Sequence, residues 1–206
     1  MMLFRVISIK SKFNEMFGNP ITNPQNRPLT RFDNVITLQR GFDLPDSSRK
    51  SNGIYPVYGS NGLIGYHDIP MAKNGIVTGR SGTIGQVYTI HGDYWPLNTT
   101  LFSIDTHGNN IVYLGTLLQC FDLTRFFSGT GVPTLNRNDV HKELIYDVPI
   151  EQQIAFSTYA EQCDKLKFVA GLGIVCKLVL KFNWRNKYTY IPYKFTIQIV
   201  HCSTIC

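Results

Sequence analysis

The sequence predicts an α+β fold: a single mixed, β-sheet-rich domain followed by a C-terminal helix. From Arg27 to Pro149, short segments of β-branched and aromatic residues alternate with Gly, Pro and Asn, the punctuation of strands and turns. One stretch in that span, Ile111 to Phe127, has helical spacing instead. Beyond Val148-Pro149, Glu151 and Gln152 open a strongly helical run, because acidic and polar residues suit a first turn. The 206 residues can hold one good core, or one domain with appendages, and the 43% hydrophobic content belongs to a globular chain.

Residues 1–26 read as a lead-in, with a short helix from Ser11 to Phe17 that stops at Gly18 before Asn19-Pro20 and Asn23-Pro24. Residues 27–149 form the β-rich domain. Two seven-residue stretches within it, Gly59-Ser60-Asn61-Gly62-Leu63-Ile64-Gly65 and Gly79-Arg80-Ser81-Gly82-Thr83-Ile84-Gly85, repeat one glycine pattern twenty positions apart. Alternating β-formers flank both, so each is expected to be a strand, a tight turn and a returning strand, with Asn61-Gly62 and Ser81-Gly82 turning. The glycines permit positive φ and close backbone approach, and Ser60, Asn61, Arg80, Ser81 and Thr83 put hydrogen-bonding groups on the tips. In the helical stretch beyond them, Val112, Leu114, Leu117, Leu118 and Phe121 offer a buried face. Residues 150–169 are the C-terminal helix, with Ile154, Tyr159, Cys163 and Leu166 as its apolar seam, docked on its own core or starting a coiled coil. Residues 170–206 change texture: acidic residues vanish and no clean period remains, as in a foreign or frameshifted tail.

The net charge of +6 invites a nucleic-acid reading, but its location matters more than its sum. Five basic residues and no Asp or Glu fall in Gly171–Cys206, so the first 170 residues are close to neutral. Any nucleic-acid site must use a local basic face, for which Arg27, Arg31, Arg40, Arg49, Lys50, Lys73 and Arg80 are candidates. Five cysteines without a paired spacing argue for reduced thiols and a cytoplasmic location, and against a zinc site. No apolar run is long enough to span a bilayer.

Catalytic patterns are weak. Neither glycine stretch has G-x-G-x-x-G spacing or a Gly-Lys-Ser/Thr at a helix start, so no nucleotide cofactor is expected. Asp43, Asp46 and Lys50 could serve a metal-dependent nuclease, but no second acidic cluster supports them. The five His residues are scattered, and Asn23-Pro24-Gln25 lacks the stacking aromatic of an amino-methyltransferase loop. A rigid β scaffold with polar, glycine-supported loops suits a reader better than a catalyst. DNA readout needs Arg, Asn, Ser and Thr at base edges, with further donors on phosphates to fix register. Asn61 and Arg80 are the base-edge candidates, Ser60, Ser81 and Thr83 the phosphate candidates, and Arg40, Lys50 and Lys73 complete the basic set.

Three blocks carry a family resemblance: Pro56 to Tyr66, Gly75 to Gly85, and Trp95-Pro96-Leu97-Asn98-Thr99. In order and spacing they resemble the target recognition domain of type I restriction-modification specificity subunits. Val132 to Asn136 and Val148 to Gln153 are similar to that family's exit into its conserved helix, and Phe13 to Pro20 resembles the end of a spacer helix. The similarity covers about residues 27–169. It implies a half-sized or truncated specificity protein that reads one half of a bipartite double-stranded DNA target. The resemblance also implies modification (methyltransferase) and restriction subunits as partners, which would supply methyl transfer and cleavage, while this chain catalyses nothing. The alternative is a truncated, non-catalytic assembly or regulatory decoy that binds the modification subunit without reading DNA, and the helix at 150–169 is a candidate for self-association. Gly62, Gly82 and Gly85 are expected to be structural, and Trp95 a core anchor.

Overall fold

The computed structural model describes residues 8–128 and 133–171, which excludes most of the expected tail and Cys176, Cys202 and Cys206. The chain divides into two units, Met1–Glu161 and Gln162–Cys206, and the sheet, its loops and the core belong to the first. Helix α1 spans Ile9–Phe17, two residues longer at its start than the sequence predicts, because the Ser8 side chain accepts from the Ser11 N–H and caps it. Gly18, at φ 79°, ends it as expected. Then come β1 (Leu29–Arg31), β2 (Thr37–Arg40), β3 (Tyr55–Gly59), β4 (Gly62–His67), β5 (Ala72–Gly79), β6 (Val87–Pro96) and β7 (Thr100–Asp105). Helix α2 (Ile111–Phe121), β8 (Phe127–Ser128), β9 (Thr134–Leu135), α3 (Arg137–Lys142), β10 (Leu144–Tyr146) and α4 (Ile150–Gly171) complete the order. This is the α+β class the sequence predicts.

Six strands form one sheet in the order β2-β7-β5-β6-β3-β4, antiparallel throughout except for the parallel pair β3–β6. Alternation along the central strands sends side chains to two apolar layers. Ile76 of β5 and Leu101 of β7 enter the larger core beneath the helices, while their neighbours Val77 and Phe102 join Ile90 and Tyr94 on the opposite face. Helix α2 lies close against the sheet because Gly115 has no side chain: a Cβ there would fall 2.1 Å from Thr89 Oγ1.

Helix α1 shares this core. Phe13 and Phe17 are wholly buried, and their rings lie 5.0 Å apart and between 5.3 and 5.7 Å from Tyr113 of α2 and Phe156 of α4. Removing either phenylalanine ring would cost about 3–5 kcal/mol. Short β1–β10 pairing, Leu29 opposite Tyr146, closes the chain beside this aromatic group, and the Tyr146 hydroxyl donates to Gly18 O at 3.0 Å.

Two helical expectations need correction. The stretch from Ile111 stops being α-helix at Phe121, because Asp122 adopts a left-handed conformation and starts a 3-10 turn over Leu123–Phe126. Its buried surface is wider than the expected face, taking in Tyr113, Gly115 and Thr116, while Val112 is only half-buried. On α4 the seam is rotated. Phe156, Ser157 and Ala160 are buried with Gln153, whereas Ile154 is 51% exposed. Gln153 is buried because every polar atom is used: its Nε2 donates to Asn109 Oδ1 and Val148 O, and its Oε1 accepts from the Asn110 N–H. Leu166 lies outside the described side chains.

Candidate functional site

The two glycine stretches do not form the same structure. Gly59 and Gly62 pair across a two-residue turn, Ser60-Asn61, so the first is the tight hairpin expected, although Gly62 opens the returning strand rather than turning. The second is a seven-residue loop, residues 80–86, between β5 and β6, which corrects the expectation of a tight turn. It curls back on itself: a Cβ on Gly79 would sit 1.7 Å from Thr83 O. Neighbouring chain fixes that curl. The Arg80 and Ser81 N–H groups donate to Thr99 O at 2.9 and 3.1 Å, the Gly82 N–H donates to Pro133 O at 3.2 Å, and Arg80 O accepts from the Leu135 N–H at 2.7 Å. As expected, Gly62, Gly65, Gly82 and Gly85 all have positive φ.

The hairpin tip and the loop meet. Cβ atoms built on Gly79 and Gly82 would lie 3.3 Å from Ser60 Cβ and 3.6 Å from Ser60 Oγ. Asn61 and Thr83 are exposed here, and Ser60, Arg80 and Ser81 are half-buried. The Arg80 Nε–H donates to Asn98 O at 3.0 Å, the Asn98 side chain donates to Asp43, and Asp43 pairs with Arg40 at 3.2 Å. Arg40 is thereby joined to the loop end of the sheet. Lys50 and Lys73 are elsewhere. Lys50 bridges Tyr66 at the base of the β3–β4 hairpin and pairs with Asp68. Lys73, opposite Asp93, is six residues along β5 from Gly79, roughly 20 Å at strand rise.

Sequence reasoning missed Arg137. It opens α3 directly after β9, is exposed, and shares with Arg40 and Arg80 the wall of a cleft of about 480 Å³. The Asn136 side chain caps α3 by accepting from the Asn138 N–H at 3.0 Å. At the other end of α3, His141 Nε2 accepts from the Leu38 N–H of β2 at 3.0 Å, tying the cleft's two sides together. Burial lowers the His141 pKa from its ordinary value, with Asp33 opposing, so the accepting, neutral ring is favoured.

The nuclease set is dispersed among separate partners. Asp43 is held by Arg40 and Asn98, Asp46 pairs with Arg49 at 2.5 Å, and Lys50 pairs with Asp68. Among the described residues no group of three His, Cys, Asp or Glu could hold a metal ion, and no helix is long and apolar enough to cross a membrane. Trp95 packs beside Leu44, Val57 and Leu97, with His67 against its ring at 4.8 Å, the anchoring place its sequence context predicts.

No protein-family model and no curated protein sequence matches the chain. Solved structures do. An S subunit of a type I restriction-modification system from M. genitalium aligns with a TM-score of 0.58 at 18% identity, over 71% of this chain and 42% of that one. The chain shares its fold with part of a type I restriction-modification S subunit. A structure describing complex assembly and conformational transition of the type I R-M system aligns at 0.60 with 16% identity, and the HsdS subunit from Thermoanaerobacter tengcongensis at 0.54 with 15% identity. Each of these two alignments covers 80% of this chain and 44% of the other. The chain thus spans less than half the length of the S-subunit structures it resembles.

Proposed function

We propose that this chain is a non-catalytic DNA-reading module, the specificity component of a type I restriction-modification system, and that it reads one half of a bipartite double-stranded target. The observation that carries the reading is an S-subunit fold whose two glycine stretches converge at one end, with Ser60, Asn61, Arg80, Ser81 and Thr83 around them. Rigid strands hold the loops, so polar side chains meet a groove with little ordering cost. Phosphate donors would fix register and the exposed tip would touch base edges. Methyl transfer and cleavage belong, in this reading, to modification and restriction subunits, and the complex works in the cytoplasm.

Selection from a random duplex pool, followed by anisotropy on the enriched sequence, tests this. Enrichment of one short half-site is expected, with or without modification subunits. Binding without any enrichment sinks it.

A second reading, a decoy that engages the modification subunit without reading DNA, draws on α4. Ile150 and Ile154 stand 39% and 51% exposed at i,i+4 spacing, an apolar strip suited to a helix-on-protein contact. Co-purification with the modification subunit, lost in Ile154→Glu and accompanied by no half-site selection, would favour the decoy.

A further inference from the structure

The geometry points to a phosphate seat for the duplex backbone in the cleft between β2, the 80–86 loop and the start of α3, with Arg40, Arg80 and Arg137 as its cations. This rests on the DNA reading and assigns a distinct task to one part of the surface. Arg40, Arg80 and Arg137 line the cleft together with Leu101, Leu135 and three polar residues of 134–138, and among the described residues no carboxylate lines it. The carboxylate beside it, Asp43, is already engaged by Arg40 and the Asn98 side chain. Arg137 makes no ion pair among the described residues.

Arg80 is the most firmly held of the three arginines. Its backbone is clamped on both sides, by Thr99 O at its N–H and by the Leu135 N–H at its carbonyl, and its Nε–H is spent on Asn98 O at 3.0 Å. Of the five donors of a guanidinium, those on the two terminal nitrogens have no hydrogen-bond partner among the described residues, and they form a planar fork. A fork fixed in this way beside two further arginines, set back from the exposed Asn61 tip, matches two oxygens of a phosphodiester. Arg80 therefore sets register, and discrimination passes to the exposed Asn61 tip. The cleft lies between elements distant in sequence, which is why Arg40 and Arg137, ninety-seven positions apart, act together.

The test uses the full chain, as wild type, Arg40→Gln and Arg137→Gln, binding the enriched duplex and a scrambled duplex across about 50–200 mM salt, the range over which phosphate contacts register. Each variant should lose about one unit of the slope of log affinity against log salt and weaken both duplexes by the same factor. Arg137→Gln is the cleaner variant, and unchanged melting temperatures establish that both fold. Equal slopes in wild type and variants overturn the seat, as does a loss confined to one base pair. Inorganic phosphate is titrated in parallel: tight binding lost in Arg137→Gln, with duplex slopes unchanged, overturns the duplex seat in favour of a small-anion site. The two proposals separate cleanly. Slope loss without any enriched half-site leaves the seat and removes the specificity reading, whereas enrichment with unchanged slopes does the reverse.

Discussion

The first glycine stretch forms a hairpin whose turn closes through its own strands; the second, nearly identical in pattern, forms a loop that is shaped from outside. Ser60-Asn61 turns between paired Gly59 and Gly62, and the β3–β4 ladder closes the turn. Residues 80–86 depend on Thr99, Pro133 and Leu135 for their course. A glycine pattern therefore specifies permissiveness, and the surrounding chain decides what is done with it. The difference divides the work expected of the two loops: a self-supporting tip can project toward bases, whereas an externally fixed loop can hold a charge in place.

The corresponding glycines Gly59 and Gly79 give the sharpest way to break this comparison. A Cβ on Gly79 meets the backbone carbonyl of Thr83 at 1.7 Å, so Gly79→Ala must open the loop and should destabilise the protein by about 3 kcal/mol. At Gly59 the nearest atom is the Ile64 Cδ1 at 3.1 Å, the end of a flexible side chain, and Gly59→Ala should cost about 1 kcal/mol or less. Urea melts of both variants measure the contrast. Equal costs would mean that the two loops are supported alike.

Asn61→Ala probes the other half. With the tip exposed and free of any role in the ladder, folding stability should hold. Discrimination at one base pair should fall by about 1–3 kcal/mol, while the salt slope stays at the wild-type value. A uniform loss over all sequences would make the tip a backbone contact and erase the division of labour.

How much of this was legible in the sequence depends on the range of the interactions. The α+β class, the first hairpin, α1 with its Gly18 stop and the entry to α4 at Pro149 depend on neighbours a few residues away, and period and punctuation report such contacts. The course of the 80–86 loop depends on residues near 99 and 134, which no local pattern announces. The α4 seam was misread for a related reason. Gln153 looks like a surface residue until Asn109, Asn110 and Val148 are seen to satisfy it, and its burial turns Ile154 outward. Arg137 was missed because a single arginine in Thr134-Leu135-Asn136-Arg137-Asn138 resembles solvated surface. The one local signal was Asn136, whose capping potential marks a helix start beside it.

The externally shaped side should also be the pH-sensitive one. His141 accepts from the Leu38 N–H with its neutral ring, and burial lowers its pKa below the ordinary value of about 6.5. The unfolded chain therefore binds a proton that the folded chain refuses. Stability is full above about pH 6.5 and declines as pH falls from there through the lower folded-state pKa. Melting temperature tracked from pH 7.5 to pH 5 should drop in wild type and flatten in His141→Gln over that window. Amide exchange at Leu38 should accelerate there relative to Tyr58, in the self-supporting hairpin, after correction for intrinsic rates. Parallel behaviour of both amides would place the pH response elsewhere.

The smallest expected effect bounds the site. Lys73 is 70% exposed, pairs with Asp93 at a loose 3.8 Å, and lies at the opposite end of β5 from the loop. A surface pair of this kind contributes little, so Lys73→Gln should change stability by less than about 0.5 kcal/mol. If DNA contacts are confined to the end where the two loops meet, the salt slope should not move either. A slope change as large as that of Arg137→Gln would extend the duplex along the whole strand, and the contrast between a reading tip and a fixed phosphate seat would give way to one continuous basic face.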